Sequence, residues 1–233
     1  MFRHVPNLLT GGRLLLAAFF FCLLAYYQYE GRGDPWLLNV AFVVYVVALA
    51  TDFLDGFLAR RWHVEGQFGR IVDPFVDKIL VLGAFIFFAG KNFIIPATAT
   101  HAPGDNTMVV RTLTGVAPGI VVILLARELL VTTFRGMGES SGRNFGAAFI
   151  GKLKMGFQSA TILVILAYVN YYHRFNNTPA ERWITAFRDF AIWATVAITV
   201  YSGLVYLRKA MSMLRDQPAT PAPAQDPPKG AAA

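Results

Sequence analysis

The chain has 233 residues, of which 55% are hydrophobic and only 15% are charged, and its formal net charge is +7. A soluble domain of this length would carry about 25% charged residues, so the composition excludes an ordinary soluble enzyme and indicates a protein with several membrane spans. In such a protein an excess of Lys and Arg is typical of cytoplasmic loops, so the positive charge does not indicate nucleic-acid binding. The single cysteine, Cys22, excludes an intrachain disulfide.

Six apolar segments have about the 20 residues that a helix needs to cross a bilayer. They predict an all-α transmembrane domain of six helices over residues 1–215. The tail that follows, residues 216–233, is rich in Pro and Ala and is expected to be disordered. The predicted spans are residues 8–29, 36–60, 72–95, 114–135, 153–173 and 184–208.

The distribution of basic residues predicts the orientation of these spans. With six helices both termini lie on one side, and that side receives fifteen of the 21 Lys and Arg residues, against six on the other. Because loops rich in Lys and Arg stay in the cytoplasm, we expect both termini to be cytoplasmic, in a cell (inner) membrane.

Four aspartates interrupt the apolar pattern between residues 51 and 78. An aspartate at the centre of a membrane helix costs about 2.5–3.5 kcal/mol, so four of them close together are hard to explain as structure. At about 100° per residue, the first two share one helix face with two small residues, and such a face could form the floor of a pocket. The residues of this face are Asp52 and Asp55, with the small residues Gly56 and Ala59.

The second aspartate pair, Asp73 and Asp77, is spaced by one helical turn and therefore shares a face. Gly69 joins that face if the helix extends so far. Pro74 leaves two alternatives open, because an interior proline breaks or kinks a helix. Either the helix continues through it, or Asp73 caps a new helix that begins at Pro74.

Four carboxylates in a site of low dielectric repel one another, and divalent cations relieve that repulsion. An all-oxygen ligand set favours Mg²⁺, Mn²⁺ or Ca²⁺ over zinc. The alternative is that the aspartates form salt bridges at helix ends, which would explain the charges but not the small residues at these offsets. Its candidate partners are Arg60, Arg61, Arg70 and Lys78.

Written as a pattern, residues 52–77 read D-x2-D-G-x2-A-R-x8-G-x3-D-x3-D, with eight fixed positions over 26 residues. This pattern resembles the signature of the CDP-alcohol phosphatidyltransferase family. The resemblance implies an integral membrane enzyme that moves a phosphatidyl group from CDP-diacylglycerol to an alcohol and releases CMP.

A second group of charges lies in residues 126–158. Arg127 stands about two turns inside an apolar helix, where a charge ordinarily marks a ligand site. Its neighbour Glu128 points about 100° away on a helix, which argues against their pairing. We interpret the basic residues of this region as a phosphate-binding group, although a positive cytoplasmic loop would explain part of it. These residues are Arg127, Arg135, Lys152 and Lys154.

The sequences A-R-E-L, at residues 126–129, and G-K-x-K-x3-Q, at residues 151–158, resemble the glycerophosphate branch of the family, as does D-P-x2-D-K at residues 73–78. This branch implies sn-glycerol 3-phosphate as acceptor, a homodimer, and two divalent ions, Mg²⁺ or Mn²⁺, held by the four aspartates. Asp77 would be the catalytic base, beside Asp73. The CDP group would bind Gly56, Ala59, Arg60 and Gly69, and the N-terminal residues Asn7, Thr10 and Arg13 would support the substrates unless they are only an interfacial anchor.

Two other functions are weighed against this one. A cardiolipin synthase of the same superfamily would use phosphatidylglycerol as acceptor. A cation transporter would also carry carboxylates within the membrane, but it requires a polar path to the outer side. The outer halves of the predicted helices three to six have almost no polar residues, which argues against transport.

Overall fold

The computed structural model describes residues 5–29, 33–62, 67–95, 111–140 and 149–215. The described part is almost entirely helical, which confirms the all-α prediction apart from one short pair of strands between the third and fourth helices. The six helices are α1 (Val5–Tyr26), α2 (Pro35–Trp62), α3 (Gln67–Phe88), α4 (Pro118–Ser140), α5 (Phe149–Phe175) and α6 (Glu181–Arg215). The loop residues 96–110 and the tail 216–233 lie outside the described residues, so the prediction of a disordered tail is not tested.

The helices pack in a closed ring, in the spatial order α1, α2, α5, α6, α4 and α3. A further contact between α3 and α5 crosses the ring. Large apolar side chains fill the middle, among them Phe20, Tyr45, Phe85 and Ile162, each fully buried. The aspartate-bearing helices α2 and α3 both pack against α1 and α5, so residues of these four helices can contribute to one site.

The ends of α2 and α3 show how the sequence sets the helix limits. Asp34 caps α2, because its carboxylate accepts a hydrogen bond of 2.9 Å from the Trp36 amide, and Pro35 occupies the first helical position, where a missing amide hydrogen costs nothing. α3 begins at Gln67 and runs through Pro74 without interruption. The alternative in which a helix starts at Pro74 is therefore wrong, and Gly69 lies on the same helix as Asp77.

Within the described part of the chain, three helices contain apolar stretches long enough to cross a membrane, at Pro35–Asp52, Leu153–Tyr172 and Glu181–Ser212. The protein is thus an integral membrane protein, while the number of six spans remains a prediction. With 35 residues, α6 is about 52 Å long at 1.5 Å per residue, longer than the hydrocarbon thickness of about 30 Å. It therefore extends beyond the bilayer.

The predicted third span reached residue 95, but α3 ends at Phe88. A short 3₁₀ helix (Lys91–Phe93) and strand β1 (Ile94–Ile95) follow, and β1 pairs antiparallel with β2 (Arg111–Thr112). The Asn92 side chain donates hydrogen bonds of 3.1 Å to the carbonyls of Leu24 and Ala25 at the end of α1. These bonds satisfy carbonyl groups that a helix end otherwise leaves open, which fixes this end of the bundle.

Candidate active site

Arg13 on α1 joins the two aspartate-bearing helices. Its Nη2 atom lies 2.8 Å from Asp52 Oδ1 on α2 and also contacts Asp77 Oδ1 on α3. Arg13 is buried, with 3% of its surface exposed, whereas the carboxylates of Asp52 and Asp77 are 41% and 21% exposed. The sequence assigned Arg13 only a supporting role, and the structure places it in direct contact with two predicted metal ligands.

These contacts show that the two aspartate segments, which lie on different helices, reach the same place. Two carboxylate oxygens converge on one nitrogen of the Arg13 guanidinium, so a positive charge lies between them, as a metal ion would. An all-oxygen pair of this kind fits Mg²⁺ or Mn²⁺. Within the described residues no three His, Cys, Asp or Glu side chains form a group, because only two of the four predicted ligands have described side chains.

The other residues predicted around this point belong to α2 and α3, but their side chains lie outside the described set. Their helical setting agrees with the predicted spacing, since α2 continues to Trp62 and α3 starts at Gln67. Their roles in binding metal and CDP therefore remain predictions. The residues concerned are Asp55, Gly56, Ala59, Arg60, Gly69 and Asp73.

A second polar cluster lies where α4, α5 and α6 meet, and Glu128 is its centre. Glu128 Oε1 accepts hydrogen bonds from Arg127 Nη1, at 3.0 Å, and from Lys154 Nζ on α5. Glu128 and Lys154 are both buried, with 7% and 4% of their surfaces exposed. The structure thus brings together Arg127 and Lys154, two of the four predicted phosphate-binding residues.

Arg127 and Glu128 do form an ion pair, so the prediction that they would not pair was wrong. Neighbouring positions on a helix do diverge by about 100°, but that angle describes the Cα–Cβ directions and not the ends of long side chains. The flexible Arg127 side chain extends far enough to curve back to the Glu128 carboxylate. Glu128 consequently holds two cations that come from different helices.

Helix α6 contributes residues to this cluster that the sequence analysis missed. Arg127 Nη2 donates a hydrogen bond to Ser202 Oγ, and the guanidinium lies 5.6 Å from the centre of the Tyr206 ring. Gly203 makes the approach possible, because a Cβ atom there would meet Arg127 Cγ at 3.2 Å. The sequence did contain a signal for these contacts, because residues with polar groups recur at helical spacing on one face of α6. They are Thr195, Thr199, Ser202 and Tyr206.

The two clusters are connected through α3 and α4. Lys78, which follows Asp77, donates a hydrogen bond of 2.6 Å to Thr132 Oγ1, and Thr132 in turn donates to the Glu128 carbonyl at 2.7 Å. The positive charges of Arg127 and Lys78 also lie within electrostatic range of Lys154. Lys78 thus bonds to α4 one turn after Glu128, so the aspartate site and the basic cluster lie on neighbouring parts of two packed helices.

Four further predicted site residues have side chains outside the described set, although all four belong to helices. Their predicted roles therefore remain untested. Arg135 and Lys152 were expected to bind phosphate, and Asn7 and Thr10 were expected to support the substrates.

The halves of α5 and α6 that were predicted to face outward contain more buried polar side chains than the sequence analysis recognised. Asn170 donates a hydrogen bond of 2.6 Å to Asn39 on α2, and Arg188 donates one of 2.7 Å to the Leu113 carbonyl. The hydroxyls of Thr161 and Thr195, near the middle of the bundle, are 2.7 Å apart. The expectation of almost no polar residues in this region was wrong, and these bonds tie neighbouring elements to one another.

The sequence model of the CDP-alcohol phosphatidyltransferase family matches residues 3–201, which include Arg13, the aspartates and the charged residues around Glu128. The chain belongs to this family. It is similar to "CDP-diacylglycerol--glycerol-3-phosphate 3-phosphatidyltransferase" of Bacillus subtilis (strain 168), with 27% identity over 219 residues, covering 91% of this chain and 97% of the relative. The protein of that name from Escherichia coli (strain K12) is 27% identical over 216 residues, covering 92% and 98% respectively.

Membership in the CDP-alcohol phosphatidyltransferase family confirms the resemblance inferred from residues 52–77. The protein is therefore a transferase embedded in the membrane. The pattern of aspartates and glycines that led to the family lies on α2 and α3, and the structure shows that Asp52 and Asp77 are held together by Arg13.

Proposed function

We propose that the protein transfers the phosphatidyl group of CDP-diacylglycerol to the 1-hydroxyl of sn-glycerol 3-phosphate, giving phosphatidylglycerophosphate and CMP. The observation that supports this most is the pair of charged clusters in one bundle. Asp52 and Asp77 meet at Arg13, and Arg127 and Lys154 meet at Glu128. A transferase acting on two phosphate-bearing substrates needs both parts, namely carboxylates for cations at the pyrophosphate and fixed cations for the acceptor phosphate.

In this proposal the four aspartates hold two divalent ions, Mg²⁺ or Mn²⁺. When bound, these ions would neutralise the pyrophosphate and stabilise an in-line displacement. Asp77 accepts the proton of the acceptor hydroxyl, which makes the oxygen a better nucleophile, while Asp73 holds its place one turn away on α3. The CDP group binds along the small-residue faces of α2 and α3, at Gly56, Ala59, Arg60 and Gly69.

The bond changes follow from this arrangement. The hydroxyl oxygen of the acceptor forms a bond to the phosphorus that carries diacylglycerol. The bond from that phosphorus to the bridging oxygen of the pyrophosphate breaks, and CMP leaves with the bridging oxygen. We favour this direct displacement over a covalent enzyme intermediate.

The acceptor phosphate is proposed to bind Arg127, Arg135, Lys152 and Lys154. Among described side chains, Arg127 and Lys154 contact the single carboxylate of Glu128, and the positive charge of Lys78 lies within electrostatic range of Lys154. A phosphate monoester carries close to two negative charges at neutral pH, so this excess of positive charge suits it. Phosphatidylglycerol, the acceptor of a cardiolipin synthase, is a diester with one negative charge and would need fewer cations.

Release of CMP by the purified full-length protein in detergent tests the activity. We expect release that requires CDP-diacylglycerol and glycerol 3-phosphate together, that stops when EDTA is added, and that returns when Mg²⁺ or Mn²⁺ is restored in excess. Full activity in EDTA would contradict the role of the metal ions. No CMP release under any of these conditions would contradict the proposed activity and would leave the transporter as the alternative.

The orientation is tested by two single cysteines in a Cys22→Ala background. Thr178 is exposed in the turn between α5 and α6, and Ser212 is exposed near the end of α6. In cells, we expect a membrane-impermeant thiol reagent to label the cysteine of Thr178→Cys from outside, and that of Ser212→Cys only after the membrane is opened. Labelling of both positions from the same side would contradict the number of six spans, and labelling of Ser212→Cys from outside would contradict the proposed cytoplasmic termini.

The proposal includes two further features that the family suggests. The protein would act as a homodimer, and the bundle of residues 1–215 would be the catalytic unit, with residues 216–233 as a disordered tail. The mass of the purified protein in detergent tests the first of these. A variant lacking residues 216–233 that retains full transfer activity would support the second.

A further inference from the structure

Arg13 contacts two aspartates of the predicted metal site. Its guanidinium group thus places a positive charge of the protein itself at that site. Arg13 Nη2 lies 2.8 Å from Asp52 Oδ1 and also contacts Asp77 Oδ1. A divalent ion held by Asp52 and Asp77 would bind the same two carboxylates that the guanidinium contacts. The guanidinium and a metal ion would therefore compete for these carboxylates.

Electrostatics also opposes simultaneous occupation. A guanidinium and a divalent ion that contact the same two carboxylates repel each other, because both are positively charged. Arg13 is 3% exposed, so that repulsion is poorly screened at its position, while the carboxylates of Asp52 and Asp77 remain partly exposed. A metal ion can thus reach these oxygens from solvent, and binding to both requires Arg13 to withdraw.

We propose that Arg13 is an internal counter-ion that competes with the divalent cation for Asp52 and Asp77. It holds the two carboxylates together at low metal concentration, and it raises the metal concentration needed to fill the site. This inference rests on the proposed use of Asp52 and Asp77 as metal ligands, but it does not depend on the identity of the acceptor alcohol.

The test is Mn²⁺ binding to the purified full-length protein without substrates, followed by the electron paramagnetic resonance signal of free Mn²⁺. Arg13→Met keeps the length of the side chain and removes its charge. In this variant Asp52 and Asp77 lose their charge-assisted contact with the Arg13 guanidinium, which otherwise competes with the metal ion. We therefore expect the dissociation constant for Mn²⁺ to fall by about tenfold or more. Arg174→Met is the control, since Arg174 is exposed and lies beside Tyr171 near the end of α5. The dissociation constant of this variant for Mn²⁺ should match that of the wild type.

Thermal denaturation provides a second readout. Without metal, Arg13→Met should melt at a lower temperature than the wild type, because Asp52 and Asp77 lose the cation between them. Mg²⁺ should then raise the melting temperature of Arg13→Met more than that of the wild type. If Arg13→Met does not fold, Arg13→Lys carries the test, and we expect a smaller decrease in the Mn²⁺ dissociation constant because a lysine contacts the two oxygens less effectively.

Each outcome decides the inference. An unchanged dissociation constant in both Arg13 variants would overturn the competition, and weaker Mn²⁺ binding would mean that Arg13 instead organises the site for the metal. Either result would leave the proposed metal site intact, because Asp77→Asn would still weaken Mn²⁺ binding. Absence of Mn²⁺ binding to the wild type and to both variants would overturn the proposed metal site together with the role of Arg13.

Discussion

Replacing Asp77 with Asn is expected to lower the rate of CMP release by about a thousandfold or more, the scale of a lost general base. The substitution keeps the size and shape of the side chain but removes its negative charge. It therefore removes a proposed metal ligand and the proposed base together. Arg13 retains Asp52 as a partner at 2.8 Å, so we expect the variant to be expressed and inserted in the membrane.

A matched control is available on α6. Asp189 is also paired with an arginine, since its carboxylate accepts hydrogen bonds of 2.9 Å and 2.6 Å from Arg188. This pair lies near the start of α6, far along the helix from Ser202. Asp189→Asn should keep the wild-type rate within about a factor of two. An Asp77→Asn protein with more than a tenth of the wild-type rate would contradict the assignment of Asp77.

Replacing Lys154 with Met is expected to raise the KM for glycerol 3-phosphate by about tenfold or more, because a hydrogen bond to a charged group contributes roughly 1.5–3 kcal/mol. Two effects act in the same direction. The acceptor phosphate loses a cation, and Glu128 loses a partner that neutralises its charge. The KM for CDP-diacylglycerol should change much less. Arg127→Met and Lys152→Met should shift the same constant.

The double variant Lys154→Met, Glu128→Gln separates these two effects. If Lys154 serves only to neutralise Glu128, removing both charges should restore the wild-type KM. If Lys154 binds the acceptor phosphate, the KM should stay clearly above that of the wild type. Steady-state CMP release at varied glycerol 3-phosphate concentration measures these values, with Arg174→Met as a control for the loss of a distant cation. Restoration of the wild-type KM would contradict the phosphate-binding role of Lys154.

The sequence predicted the helical fold and the helices that carry the aspartates from local patterns, whereas the shared contact of Asp52 and Asp77 with Arg13 is seen only in the structure. Apolar runs of sufficient length define helices, and the spacing of the aspartates defines their faces. The continuity of α3 through Pro74 could not be decided in this way. Proline removes one hydrogen bond from a helix, and whether packing compensates for that loss depends on neighbours such as α1 and α4, which the local sequence does not identify.

The contacts inside the site depend on residues far apart in the chain, and for that reason the sequence analysis missed several of them. Arg13 and Asp77 are separated by 64 positions, and Arg127 and Ser202 by 75. The position of Arg13 on α1 indicated only which residues share its helix face, not which helix that face meets. The polar residues of α6 did give a signal, because Thr195, Thr199 and Ser202 recur at helical spacing, but no site role was predicted for them.

The identity of the acceptor alcohol is the central claim, and a competition between two acceptors tests it most directly. The purified protein receives CDP-diacylglycerol with equal concentrations of glycerol 3-phosphate and phosphatidylglycerol, and mass spectrometry identifies the lipid products. We predict phosphatidylglycerophosphate as the main product, with CMP formed in equal amount. Cardiolipin as the main product would contradict the proposed acceptor and would leave only the family assignment standing.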